Sequence, residues 1–98
     1  ELPVIDDDGK VVGMVTEADV RKRVGDPATY LTMHADHPCF DVQDVMDVEI
    51  VPVGEDRPVS EIAHYFSDPR IDALPVVDAE GALVGVVSYL DALNALAS

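Results

Sequence analysis

Cysteine is nearly absent. Cys39 stands alone, so no disulfide can staple the chain internally, and a reducing, cytoplasmic setting is expected. Bases are scarce too: twenty acids face six bases, for a net charge of −14. Such a surface repels phosphate backbones, so no nucleic-acid partner is expected. Only Lys10 and Lys22 are lysines. No apolar run approaches the ~18 residues of a membrane span, so no membrane insertion is expected. No basic stretch leading into an apolar one marks a secretion signal, and the chain does not begin with Met. There is no nucleophile elbow, phosphate-binding loop or His-Glu-x-x-His pattern, so the chain is not expected to be an enzyme by itself. Its carboxylates are scattered over turns, where water solvates them.

Apolar residues, by contrast, make up 48% of the 98 positions. That is a folding composition, and the length suits one compact unit that buries roughly 60–65% of its unfolded surface. The organising feature is a repeat. Leu2 to Val20 aligns without gaps to Leu74 to Ala92, and nine positions are identical. Two copies of one supersecondary unit follow. Each copy reads as two short strands rich in β-branched residues, joined by Asp6-Asp7-Asp8-Gly9 or Asp78-Ala79-Glu80-Gly81. Gly9 and Gly81 are placed to supply the left-handed residue of a short hairpin loop. A helix is expected after each hairpin, with Ala18, Val20 and Val24, or Leu90, Leu93 and Ala97, near helical spacing.

The second copy has a preface. Val48 to Val53 reads as a strand. Asp56 is the expected N-cap of the next helix, with Pro58 in its first turn. Val59, Ile62, Ala63 and Phe66 lie at i, i+3, i+4 and i+7 on one apolar face, and Asp68-Pro69 ends the helix. A right-handed crossover makes the flanking strands parallel, and near-continuous apolar strands predict a sheet covered on both faces. The first copy has only Glu1 before Leu2, so by the logic of the repeat about twenty-five residues of strand and helix are missing from it. The expected organisation is the latter half of a first unit over 1–24, a Pro-broken connector over 25–41, and a complete second unit over 42–98.

Each copy closes on a hydroxyl, two residues and an aspartate: Thr16-Glu17-Ala18-Asp19 and Ser88-Tyr89-Leu90-Asp91. A purely structural account suffices for that spacing. The hydroxyl at an N-cap bonds the N3 amide and the acid at N3 bonds back, a capping box worth ~1 kcal/mol. The same geometry also suits a ligand. A helix N-terminus presents free amides, and an ionised Asp there accepts from two adjacent hydroxyls such as a ribose offers.

Leu-Pro-Val-Val-Asp, then Gly, then Gly-x-Val-Ser/Thr-x-x-Asp at the mouth of a helix, written twice, resembles a pair of CBS domains (a Bateman module). The resemblance covers essentially the whole chain, with Asp47 standing where that family often has Thr. It implies an α/β fold of tandem CBS units, each a small mixed sheet with helices in the order β-α-β-β-α, the first unit incomplete. It implies a regulatory ligand-sensing module for an adenosine-type nucleotide or related adenosyl ligand. No cofactor is required; AMP, ADP, ATP and S-adenosylmethionine are the regulatory ligands implied. Carried over residue by residue, Ser88 and Asp91 would take the sugar. Val48 and Ile50 would line the base, helped by backbone at Asp72, Ala73 and Leu74. Thr16 and Asp19 form a lesser second site without its own opening strand. The resemblance also implies a homodimer through the CBS units. A ligand-free structural dimerisation module and a divalent-cation (Mg) sensing module are the alternatives.

Arg21-Lys22-Arg23 complements a helix C-terminus, the alternative being contact with a ligand phosphate. His34, His37 and Cys39 suit zinc by type but match no strong spacing, so no metal site is expected. His64 reads as a partly exposed residue beside an apolar stripe.

Overall fold

The computed structural model describes residues 1–26, 28, 29 and 41–97; the side chain of Val24 lies outside that description. His34, His37, Cys39 and most of the expected connector fall outside the described residues. Two hairpins form the frame. The first pairs β1 (Leu2–Ile5) antiparallel with β2 (Val11–Val15), Leu2 facing Val15 and Val4 facing Gly13. The second pairs β4 (Ala73–Val77) antiparallel with β5 (Leu83–Ser88), Leu74 facing Val87 and Val76 facing Gly85. Each ladder slips one place near the turn, between Val4 and Ile5 or between Val76 and Val77. Gly9 and Gly81 sit at φ 81° and 86°, the left-handed region that costs glycine nothing. Oδ1 of Asp6 accepts from the amides of Asp8 and Lys10, and Oδ1 of Asp78 accepts from those of Glu80 and Ala82. The repeat is therefore structural down to its turn hydrogen bonds.

Helix α1 (Glu17–Val24) follows the first hairpin, and its last turn carries Arg21, Lys22 and Arg23. Arg21 bonds Glu17 one turn back at 2.8 Å, so it acts locally on its own helix. Between the copies, a 3₁₀ turn at Val42–Asp44 leads into a mostly irregular run. Here the structure corrects the expected strand over Val48 to Val53. Only β3 (Val53–Gly54) enters a ladder, parallel to β4 with Val53 beside Val76. Pro52 has no N–H to donate, so ladder pairing begins after it. Upstream, Asp47 pairs instead with Met14 of the first copy, by amide-to-carbonyl bonds of 2.8 and 3.0 Å in both directions. The segment thus leaves the first sheet at Asp47 and joins the second at Val53.

The expected N-cap at Asp56 is also corrected. Pro58, extended at φ −68° and ψ 145°, is the cap residue of α2 (Val59–Ile62), and its carbonyl accepts the amides of Glu61 and Ile62. Proline disfavours helical geometry in the residue before it, so Arg57 stays outside the helix. After α2 the chain tightens into a 3₁₀ turn, Ala63–Ser67, ending at Asp68 as the Asp-Pro pair predicts. The stripe holds: Ile62 and Phe66 are buried with Val53, Leu74 and Ala92, and Val51, Val59, Ile71, Val76 and Val87 pack around them.

Helix α3 (Tyr89–Ala97) closes the second copy. Its inward residue is Ala92, while Tyr89, Leu90, Leu93 and Leu96 are exposed. The helix expected from Leu90, Leu93 and Ala97 is present, and Leu90 and Leu93 lie on its exposed side. Coverage of the sheet is partial as well. Consecutive Leu74 and Pro75 are fully buried, so β4 is covered on both faces, but Val84 and Val86 of β5 are exposed on one. The hairpins meet near their tips, where the Leu83 amide donates to the Gly9 carbonyl at 2.9 Å beside a Lys10–Ala82 bridge.

Candidate ligand-binding cavity

Both hydroxyl-x-x-Asp motifs cap helices reciprocally. Oγ1 of Thr16 accepts from the Asp19 amide at 3.0 Å, and Oδ2 of Asp19 accepts from the Thr16 amide at 3.0 Å. In the second copy the Asp91 amide donates to Oγ of Ser88 at 3.1 Å, and the Ser88 amide donates to Oδ2 of Asp91 at 3.0 Å. The bond from the Ser88 backbone, then that from its side chain, holds the Asp91 carboxyl below its ordinary range. Capping uses one oxygen of each aspartate. Oδ1 of Asp19 has no hydrogen-bond partner among the described residues. Capping and ligand binding therefore do not compete for the same atom.

A cavity of about 480 Å³ opens beside Thr16 and Asp19, within the size range of small-molecule sites. Three parts of the chain wall it. The first copy contributes Met14, Thr16 and Asp19, together with Glu1; the run entering the second copy contributes Asp47, Glu49, Ile50 and Val51; the loop and strand of β4 contribute Asp68, Arg70, Ile71, Ala73, Leu74 and Pro75. The Met14–Asp47 pairing is what brings these together. It requires close backbone approach at Gly13, where a Cβ would stand 2.6 Å from Sδ of Met46 and 3.0 Å from the Asp47 carbonyl oxygen.

Of the residues singled out from sequence, Thr16, Asp19, Ile50, Ala73 and Leu74 line this one cavity. Ser88, Asp91, Val48 and Asp72 do not. Val48 is exposed. Asp72 uses its carbonyl to accept the Tyr89 amide at 2.8 Å, tying the start of β4 to that of α3. The grouping thus differs from the sequence expectation: the apolar wall of the second copy faces the hydroxyl-x-x-Asp of the first. Sequence reasoning missed Val51, Ile71, Pro75, Asp68 and Arg70. Val51 and Pro75 lay within motifs already noted, but nothing local marked Asp68 or Arg70.

The rim is acidic. Arg70 is gripped by Asp68, with Nη2 to Oδ2 at 2.9 Å and Nε to Oδ1 at 3.1 Å. Those side-chain bonds, then the bond from the Arg70 amide, lower the Asp68 carboxyl to about 2. The side-chain bonds also raise the Arg70 guanidinium, with smaller contributions from the charge of Asp68 and of Glu49 and Asp47. Burial pushes the Glu1 carboxyl up, with Asp72 and Asp19 adding to the rise. No three His, Cys, Asp or Glu side chains among the described residues group as a metal ion would require. Among the described residues, no helix is long and apolar enough to cross a membrane.

A family model described as CBS domain matches residues 1–26 and 42–98. Inosine-5'-monophosphate dehydrogenase of Methanocaldococcus jannaschii is 33% identical over 93 residues, which cover 95% of this chain but 16% of that enzyme. The crystal structure of CBSX2, a CBS-pair protein of Arabidopsis thaliana, in complex with AMP superposes with a TM-score of 0.75 at 27% identity, covering 98% of this chain and 70% of that one. The CBS domain pair of protein MJ0100, solved with 5'-methylthioadenosine and S-adenosyl-L-methionine, gives a TM-score of 0.71 at 27% identity, covering 98% and 68%.

Proposed function

The chain belongs to the CBS domain family, and we propose that it is a regulatory ligand-sensing module whose cavity binds an adenosine-type nucleotide or related adenosyl ligand. One observation carries this reading. A ribose-suited Asp19 with a free carboxylate oxygen shares a cavity with an apolar wall of Ile50, Val51, Ala73, Leu74 and Pro75. Neither part suffices alone. The carboxylate orients the sugar through charge-assisted bonds, and the wall removes the base from water. The similarity to CBS pairs solved with AMP and with S-adenosyl-L-methionine supports it. On this reading the module regulates and does not catalyse, requires no cofactor, and works in the cytoplasm. Ser88 and Asp91 serve here as a helix cap, outside this cavity.

Calorimetric titration with AMP, ADP, ATP and S-adenosylmethionine tests the assignment. Asp19→Ala removes charge-assisted bonds worth roughly 1.5–3 kcal/mol, a ten- to hundred-fold loss of affinity. Asp91→Ala should leave affinity within about twofold, provided both variants stay folded after losing a cap worth ~1 kcal/mol. Loss of binding in Asp91→Ala alone would move the site to the second copy.

The exposed apolar residues Tyr89, Leu90, Leu93 and Leu96 favour a second reading that is compatible with the first. The module dimerises through its CBS units, and if no adenosyl ligand binds, dimerisation is its role. A response to Mg²⁺ alone in the same titrations would instead favour cation sensing.

A further inference from the structure

The cavity's charge is lopsided in a way that bears on what an adenosyl ligand carries at its 5' end. Glu1, Asp19, Asp47, Glu49 and Asp68 line it, and Arg70 is the one basic residue among its lining residues. That guanidinium is already engaged: Asp68 grips it through two side-chain bonds of 2.9 and 3.1 Å. The acids do not group as a metal site among the described residues. They make a negative field over the cavity without offering a point at which an ion would be held. Net charge compounds this, since the whole chain stands at −14 and contributes a background of the same sign.

Resting on the adenosyl reading above, we propose that this cavity selects adenosyl ligands whose 5' substituent carries a net positive charge, as a sulfonium gives, over those whose substituent is neutral overall or bears phosphate. A phosphate brought among these carboxylates meets like charges at short range, and the charge of its natural counter-ion, Arg70, is already offset by Asp68. A cation meets attraction from the carboxylates that outnumber Arg70 in the lining. Coulomb terms at a partly wetted rim are modest singly, but several of one sign add.

The test compares S-adenosylmethionine with S-adenosylhomocysteine, which lacks the sulfonium methyl and its charge but keeps the adenosyl and amino-acid parts, and with AMP. Titrations are run at about 20 mM and about 500 mM salt, because only a charge effect is screened. The expected result at low salt is about tenfold tighter binding of S-adenosylmethionine than of S-adenosylhomocysteine, with AMP the weakest. High salt should shrink that ratio, and Glu49→Gln should narrow it at low salt. Glu49 is exposed, and its side chain makes no hydrogen bond to a described residue, so the substitution should not disturb folding. Two results would overturn the proposal while leaving the adenosyl reading intact. One is binding of AMP or S-adenosylhomocysteine as tight as that of S-adenosylmethionine. The other is a preference that survives both high salt and Glu49→Gln, which would assign it to methyl packing. Failure of all three compounds, and of ADP and ATP, to bind overturns both readings.

Discussion

Gly13 and Gly85 occupy one place in the repeat and meet different surroundings. A Cβ on Gly13 collides with Met46 and with the Asp47 carbonyl, whereas one on Gly85 meets nothing within 4 Å. The Met46 side chain can move aside, but the Asp47 backbone is held by its pairing with Met14. Gly13→Ala should therefore cost about 1–3 kcal/mol and widen the cavity mouth, while Gly85→Ala should be near neutral. Urea unfolding of the two variants measures the difference. The Asp68–Arg70 pair gives a second test at this scale. The Asp68 carboxyl titrates at about 2 against an ordinary 3.8. A lowered folded-state value means that whatever the pair contributes is fully present above pH 3.8 and is lost as pH falls toward 2. Arg70 is exposed and Asp68 partly so, so the effect on stability is small and the titration itself is the readout. Carboxyl NMR should place the midpoint near 2 in the parent chain and move it up toward, but still below, the ordinary value in Arg70→Ala, which keeps the amide bond to Asp68.

At the scale of elements, the same hairpin is stabilised differently in its two settings. Leu74 of β4 is 2% exposed beneath Val53, Ile62 and Phe66, while its counterpart Leu2 of β1 is 69% exposed. The β3–α2–β4 crossover covers β4, and no described element does the same for β1. On the neighbouring strands the asymmetry reverses. Met14 of β2 is 7% exposed beside the Met46–Asp47 segment, and its counterpart Val86 of β5 is 40% exposed. Leu74→Ala should cost about 2–5 kcal/mol, since it removes a buried side chain and leaves a void. Leu2→Ala should stay within about 0.5 kcal/mol. Thermal or denaturant unfolding of the pair in the 98-residue chain decides it; equal costs would mean that the crossover does not cover β4 as described.

For the whole molecule, the outward faces of α3 and β5 are the feature to explain. Tyr89, Leu90, Leu93 and Leu96 on the helix and Val84 and Val86 on the strand are all exposed. A surface rich in carboxylates keeps such a chain soluble, but an apolar strip of this kind gains by being covered. Sedimentation at ~100 µM should show a dimer, and Leu93→Glu should shift it toward monomer by placing a charge in the contact. A parent chain that sediments as a stable monomer would remove the dimer from the proposal.

The sequence by itself determined what is local or repeated. Identical turn chemistry at Asp6–Gly9 and Asp78–Gly81, strands rich in β-branched residues and two reciprocal caps were legible because each is set by residues within a few positions of one another. The apolar stripe of Ile62 and Phe66 was legible for the same reason. The α/β class followed from their order. Only the tertiary structure decided which hydroxyl-x-x-Asp shares a cavity with the apolar wall. That choice turns on Met14 meeting Asp47 and Val53 meeting Val76, pairings between segments distant in the chain. A motif written twice with nine identical positions cannot announce which copy has a neighbour against it. It is the crossing of one chain segment from the first sheet to the second that makes Thr16 and Asp19 part of a cavity and leaves Ser88 and Asp91 as a cap.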